Sequence, residues 1–231
     1  MESKIKLSSQ KVRREKKLKK VLIIVLLLIL LLLLISYFVF GIIYNSASFS
    51  ITLDKNLYFD KGLIVYDDPT YKVYRTDLFA ESPTSFDNVY YKWLPEDIDD
   101  RGPGSQNGDN YLAYTFYVEN LSEEVSDYWS EVIIDDVVRN VDEAVRIKIY
   151  RNGEAITYAK IGANGRPEDN TVAFTDDNLV VRNHVENFGP GAMDRYTIML
   201  WVEGTDPECT DNILGGEFKV HMLFNSEHID E

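Results

Sequence analysis

Between Glu96 and Asn110 the chain gathers side-chain oxygens. Asp97, Asp99, Asp100 and Asp109 share this stretch with Glu96, Asn107 and Asn110, and Gly102, Gly104 and Gly108 let the backbone turn between them. Calcium takes about six to eight oxygen ligands from flexible loops, so these four aspartates form a candidate Ca²⁺ site. The spacing is not that of an EF-hand loop, and a solvated acidic loop accounts for the same residues. Calcium is the only cofactor the residues suggest, and a calcium-stabilised binding module using this loop is an alternative to a plain surface domain.

Other reactive types are sparse. His184, His221 and His228 are scattered, with no HExxH helix to present two imidazoles and a glutamate base to zinc. There is no G-x-S-x-G elbow and no phosphate-binding P-loop. The single cysteine, Cys209, could pair with a histidine as a nucleophile. However, it stands among Asp206, Glu208 and Asp211, and neighbouring anions raise a thiol pKa. One cysteine also forbids an intramolecular disulfide. Asn120-Leu121-Ser122 matches a glycosylation sequon. Tyr90, Tyr91 and Trp93 could stack on a sugar or a partner chain, although anchoring their own loop is the simpler reading. The residues therefore point to a protein without a catalytic set.

The elements that position these groups begin at a membrane. Val21 to Tyr44 contains no charged residue, and 24 helical residues reach about 36 Å, enough to cross a hydrocarbon core of about 30 Å. The preceding 20 residues hold nine Lys and Arg against Glu2 and Glu15, a net +7. Cations beside a membrane helix stay cytoplasmic and can lie on anionic lipid, which places residues 45–231 outside the cell. That outer part carries 15 Lys and Arg against 36 Asp and Glu, a net −21. An acidic body repels phosphate, so nucleic acid is excluded as a partner. Ser46-Ala47-Ser48 offers a signal-peptidase site just outside, but the apolar run is longer than a secretory core of about 7–15 residues. The expectation is an uncleaved single-pass anchor. It divides the chain into a basic tail (1–20), a transmembrane helix (21–44) and an extracytoplasmic domain (45–231).

Period-two alternation of apolar residues marks strands in that domain. It runs through Phe49–Leu53, Tyr111–Glu119, Tyr128–Ile134, Ala144–Tyr150, Glu154–Lys160, Arg195–Glu203 and Glu217–Phe224, and Leu63–Tyr66 reads as a short covered strand. Asn152-Gly153 between two of these predicts a two-residue hairpin, because both residues tolerate positive φ. A capping turn is expected at Asn140–Glu143, and about two helical turns from Asp206 to Gly216. Residues 81–110, with three prolines and three glycines, read as a long surface loop. Together these give an all-β domain, an antiparallel sandwich of jelly-roll or Ig-like type.

The strings NGDNYLAYTFYVEN (107–120), IIDDVVRNVDEAVRIKIYRNGE (133–154) and YTIMLWVEGTDPECTDNILGGEFKVHM (196–222) resemble an uncharacterised group of surface proteins from Gram-positive bacteria. The C-terminal part is more distantly similar to TasA/camelysin-type secreted jelly-roll proteins. That resemblance implies a surface or matrix role, with camelysin-type metalloprotease activity as an alternative for which the chain offers no metal triad. The expected partners are the lipid bilayer and cell-envelope or matrix proteins.

Overall fold

A computed structural model describes residues 2–44, 49–54, 57, 61–73, 75–80 and 87–225. The signal-peptidase site at 46–48, His228 and residues 81–86 of the long loop lie outside them. The chain divides into two compact units, one helical and one holding every strand.

The helical unit is a single helix, α1 (Glu2–Tyr44), which carries the basic tail as well as the apolar run. Within it, Lys16–Tyr37 is long and apolar enough to cross a membrane, and none of that stretch is buried by protein. From Val21 onward Leu, Ile and Val dominate it, so that part is apolar all round with no core to enter, as suits a lipid-facing helix or a signal sequence.

The second unit is a sandwich of two mixed, mostly antiparallel sheets. Its strands are β1 (Phe49–Leu53), β2 (Leu63–Tyr66), β3 (Asp77–Phe79), β4 (Gly104–Ser105), β5 (Tyr111–Asn120) and β6 (Ser126–Val137). They continue with β7 (Val145–Arg151), β8 (Glu154–Ala159), β9 (Val172–Ala173), β10 (Leu179–Phe188), β11 (Met193–Val202) and β12 (Phe218–Asn225). The first sheet runs β10-β6-β12-β1-β3, and the second runs β2-β5-β11-β7-β8-β9, with β4 also on β5. Two pairs, β1 with β12 and β8 with β9, are parallel, where antiparallel pairing was expected throughout.

Alternation sets the inner faces. Leu112, Tyr114, Phe116 and Val118 of β5 meet Val132 of β6 and Val220, Met222 and Phe224 of β12 in one core. Phe116 stacks on its cross-strand neighbour Tyr196 at 5.5 Å, and both rings meet Phe224 from the opposite sheet edge-on, at 5.9 and 5.5 Å. Such aromatic contacts add about 0.5–1.5 kcal/mol to area burial. The β7–β8 hairpin forms at Asn152 (φ 51°) and Gly153 (φ 88°), pairing Arg151 with Glu154 as the sequence demanded.

Both turn expectations change in detail. Asn140 adopts a left-handed backbone conformation and makes no side-chain cap, so Val141–Glu143 is one 3-10 turn. Between Asp206 and Gly216 only Asp211–Ile213 is helical. Thr210 is extended, and the Asp206 carboxylate is drawn into an ion pair with Arg146 and a turn with the Glu208 N–H at 2.8 Å. Gly216 ends the segment where a Cβ would stand 2.8 Å from that of Val141. Asn120 of the sequon is fully buried, and its amide donates to the carbonyls of Glu124 and Phe188 at 2.9 and 2.8 Å, so it cannot carry a glycan in the folded domain.

Candidate functional groove

The second sheet is covered on its outer face too. Alternation predicts that Ala113, Met199 and Trp201 face water. Instead they are buried against Val89 and Ile98 of the long loop. From residue 87 on, that loop is therefore a layer of the fold rather than a free excursion. Its backbone joins the sheet where the Val89 N–H donates to the Val202 carbonyl at 2.9 Å and the Gly204 N–H donates back at 3.0 Å. Further along, Arg195 pairs with Asp99 at 2.6 Å and donates to the Arg101 carbonyl at 3.1 Å.

The loop covers only part of the sheet. Beside it lies an open groove of about 1300 Å³. Arg146, Lys148 and Tyr150 of β7, Thr157 of β8, and Met199 and Trp201 of β11 form its floor. The segment from Tyr90 to Glu96 makes one wall, and Asn164 to Thr171 makes the other. Lys148 lies over the Tyr150 ring at 4.7 Å, a cation–π contact that holds its ammonium above the floor. The second wall is a tight turn: Gly165 N–H donates to the Gly162 carbonyl at 2.8 Å, and Asn164 accepts the Arg166 N–H at 2.8 Å.

Two buried acids close the end of the groove. The Glu203 carboxylate accepts from Trp201 Nε1 at 3.0 Å and from the Tyr91 N–H at 3.1 Å. Thr205 gives it two more bonds, at 3.2 Å from its N–H and 2.6 Å from its hydroxyl. Four donors satisfy it without a cation, and one of them fixes the start of the first wall. Asp206, wholly buried, pairs with the buried Arg146, whose guanidinium also lies 3.6 Å from Glu168. The oxygens of Glu168, Asp206 and Glu208 lie within 4.8 Å of one another, the one such acidic group among the described residues. Burial and the Asp206 charge push the Glu168 carboxyl above the usual range, while Arg146 acts against them. Arg146 supplies one positive charge to Asp206 and Glu168, and Glu208 accepts from the Ala163 N–H at 3.1 Å.

The four aspartates assigned to calcium are placed differently. Asp97 is exposed and paired with Arg101 at 2.9 Å, Asp99 is held by Arg195, and Asp100 and Asp109 are exposed. Asn107 and Asn110 spend side-chain oxygens on the N–H groups of Ala113 and Asp87, at 2.9 and 3.3 Å. The oxygens of the four aspartates are not brought within 4.8 Å of one another as a group.

His221 and His184 lie on strands β12 and β10 of the first sheet and are engaged away from Cys209. His221 Nδ1 is 2.8 Å from Asp135, and His184 stacks on Trp129 at 4.2 Å. Burial, with Asp206 next, pushes the Cys209 thiol up, as its acidic surroundings implied.

Sequence reasoning missed the groove floor. The signal was present, since Arg146, Lys148 and Tyr150 alternate with the core residues Ile147 and Ile149 along β7. The aromatic cluster shares the anchoring of the loop, through the Tyr91 N–H to Glu203 and the Tyr90 ring contacts, with Val89 and Ile98. Tyr91 is 48% and Trp93 78% exposed, while Val89 and Ile98 are buried.

No family model matches the chain, and no curated protein matches it at a significant level. Among solved structures, a β-glucosidase from Kluyveromyces marxianus bound to glucose aligns at 12% identity over 73% of this chain, with a TM-score of 0.25. Its selenomethionine form aligns at 14% over 73%, with a TM-score of 0.25. The chain spans only 15% and 16% of those two. The collagen-binding domain of an Erysipelothrix rhusiopathiae surface protein aligns at 11% identity over 52% of this chain and 46% of its own, with a TM-score of 0.18. Overlaps this slight bear on neither ligand nor activity.

Proposed function

We propose that this chain is a single-pass membrane protein whose acidic β-sandwich lies outside the cell and binds cell-envelope or matrix components without catalysing a reaction. The observation that carries the reading is the apolar helix: Val21 to Ile35 has every large side chain about half exposed or more, so lipid is the solvent that suits it. The +7 tail before it favours a cytoplasmic N-terminus. The groove supplies a surface for binding. The engagement of His184 and His221 and the raised Cys209 thiol support a role without catalysis.

The chain is expected to stay in the membrane pellet through alkaline carbonate extraction and to leave it in detergent. Its intact mass is expected to be that of the uncleaved chain. A soluble product beginning near residue 49 would replace the tethered protein with a released one.

A further inference from the structure

We propose that the groove on the outer face of the second sheet is a binding site for an uncharged polysaccharide, held by stacking on Tyr91 in its wall and on Trp93 beside it, and by hydrogen bonds from Lys148 and Thr157 of the floor and from the Asn164–Thr171 wall. This rests on the surface reading above and names the ligand class of that site.

Size comes first. The groove, at about 1300 Å³, exceeds the roughly 300–1,000 Å³ of small-molecule sites, which suits a segment of polymer. The second argument is the lip. Tyr91 and Trp93 stand on one 3-10 turn (Tyr91–Trp93), with Tyr90 edge-on to both at 4.9 and 6.1 Å. Single exposed aromatics are common, but Tyr91 lines the groove, and Trp93 stands beside it between Lys92 and Leu94, which line it too. Rigid rings with few rotatable bonds present apolar faces at low entropic cost, and a pyranose offers a matching apolar face.

Charge decides between polymers. Lys92, Lys148 and Arg166 line the groove with no ion pair among the described residues, and Glu96 and Asp169 stand against them. With Arg146 set against Glu168, Glu203 and Asp206, the lining holds four cations and five acids on a domain of net −21, which disfavours a polyanion. Side chains of both signs suit a ligand rich in hydroxyl and amide groups. An extended peptide fits worse. It gains affinity by adding to a free strand edge, but β7 is already paired on both sides, with β8 and β11.

The test is calorimetric titration of the full-length protein in detergent with two probes, the β-1,4-linked hexasaccharides of N-acetylglucosamine and of glucose. Saturable binding of at least one is expected. Trp93→Ala and Tyr91→Ala are each expected to weaken it about tenfold while leaving the melting temperature unchanged, because both rings are exposed. No saturable binding of either hexasaccharide would overturn the proposal, as would binding that both variants leave intact. Membrane retention of the same protein is read separately, so failure here is distinguishable from failure of the surface reading.

Discussion

Raising the pH from 9 to 12 is expected to unfold the sandwich in one cooperative step, with tyrosinate absorbance appearing together with loss of β-sheet circular dichroism. Five buried tyrosines drive this: Tyr66, Tyr114, Tyr128, Tyr158 and Tyr196. Burial is the first cause raising each above its ordinary value near 10. Three also donate their hydroxyls to carboxylates, Tyr66 to Glu119 at 2.7 Å, Tyr114 to Asp67 at 2.8 Å, and Tyr128 to Asp194. A phenolate there would face an anion in a dry site. The folded protein therefore keeps these protons when the unfolded chain has released them. Their stabilising effect is complete below about pH 10 and is lost as pH rises towards the folded values. Each contributes up to about 1.4 kcal/mol per pH unit, so five give at most about 7. Against a typical stability of about 5–15 kcal/mol, one to two units above pH 10 suffice. Tyr66→Phe is expected to flatten the fall. Tyrosines that ionise near pH 10 in a folded protein would contradict this.

Asp194→Ala is expected to cost about 3 kcal/mol and to lower Tm by about 6–12 °C. Asp194 is buried on β11 and ties both sheets to the β7–β8 hairpin. Its Oδ2 accepts from Tyr128 on the first sheet and from Arg151 Nε and Nη2 at 3.0 and 2.7 Å, and its Oδ1 accepts from Asn152 Nδ2 at 2.6 Å. Tyr128 also shares a 2.9 Å hydrogen bond with Tyr196. Truncation leaves buried donors unmet. The cost falls at the lower end of the range for broken buried pairs because the Arg151 side chain, 39% exposed, can turn to water. Tyr128→Phe, which removes one hydroxyl, should cost about 1–2 kcal/mol. An Asp194→Ala protein that melts like the parent would show that the carboxylate does not fasten the sheets.

Period two is clearest in β11 and β5, which pair residue for residue from Met193–Glu119 to Trp201–Tyr111. β10 was unreadable for a physical reason. Its pairing with β6 shifts register between Leu179 and Val181 and again between Val185 and Phe188, and Asn187 takes φ 58°. Its buried residues therefore fall at 179, 180, 181, 185 and 188, which fits no simple period. The parallel place of β1 beside β12 is likewise a fact of topology that local pattern does not carry. The Asn152-Gly153 hairpin was legible because it depends on two backbone angles alone. The Asp206 segment misled because helix-start residues can serve other tasks. Its carboxylate answers Arg146, 60 residues away in sequence, and no local rule contains that partner. The groove belongs to the same class. Its floor, walls and closing acids come from segments whose nearness exists only once both sheets form.

Proteinase K added to intact bacteria producing the full chain, tagged at each end, tests the central claim most directly. The account predicts that the C-terminal tag is destroyed while the N-terminal tag survives on a short fragment that stays in the membrane pellet. A C-terminal tag protected in intact cells and digested only after lysis would contradict it.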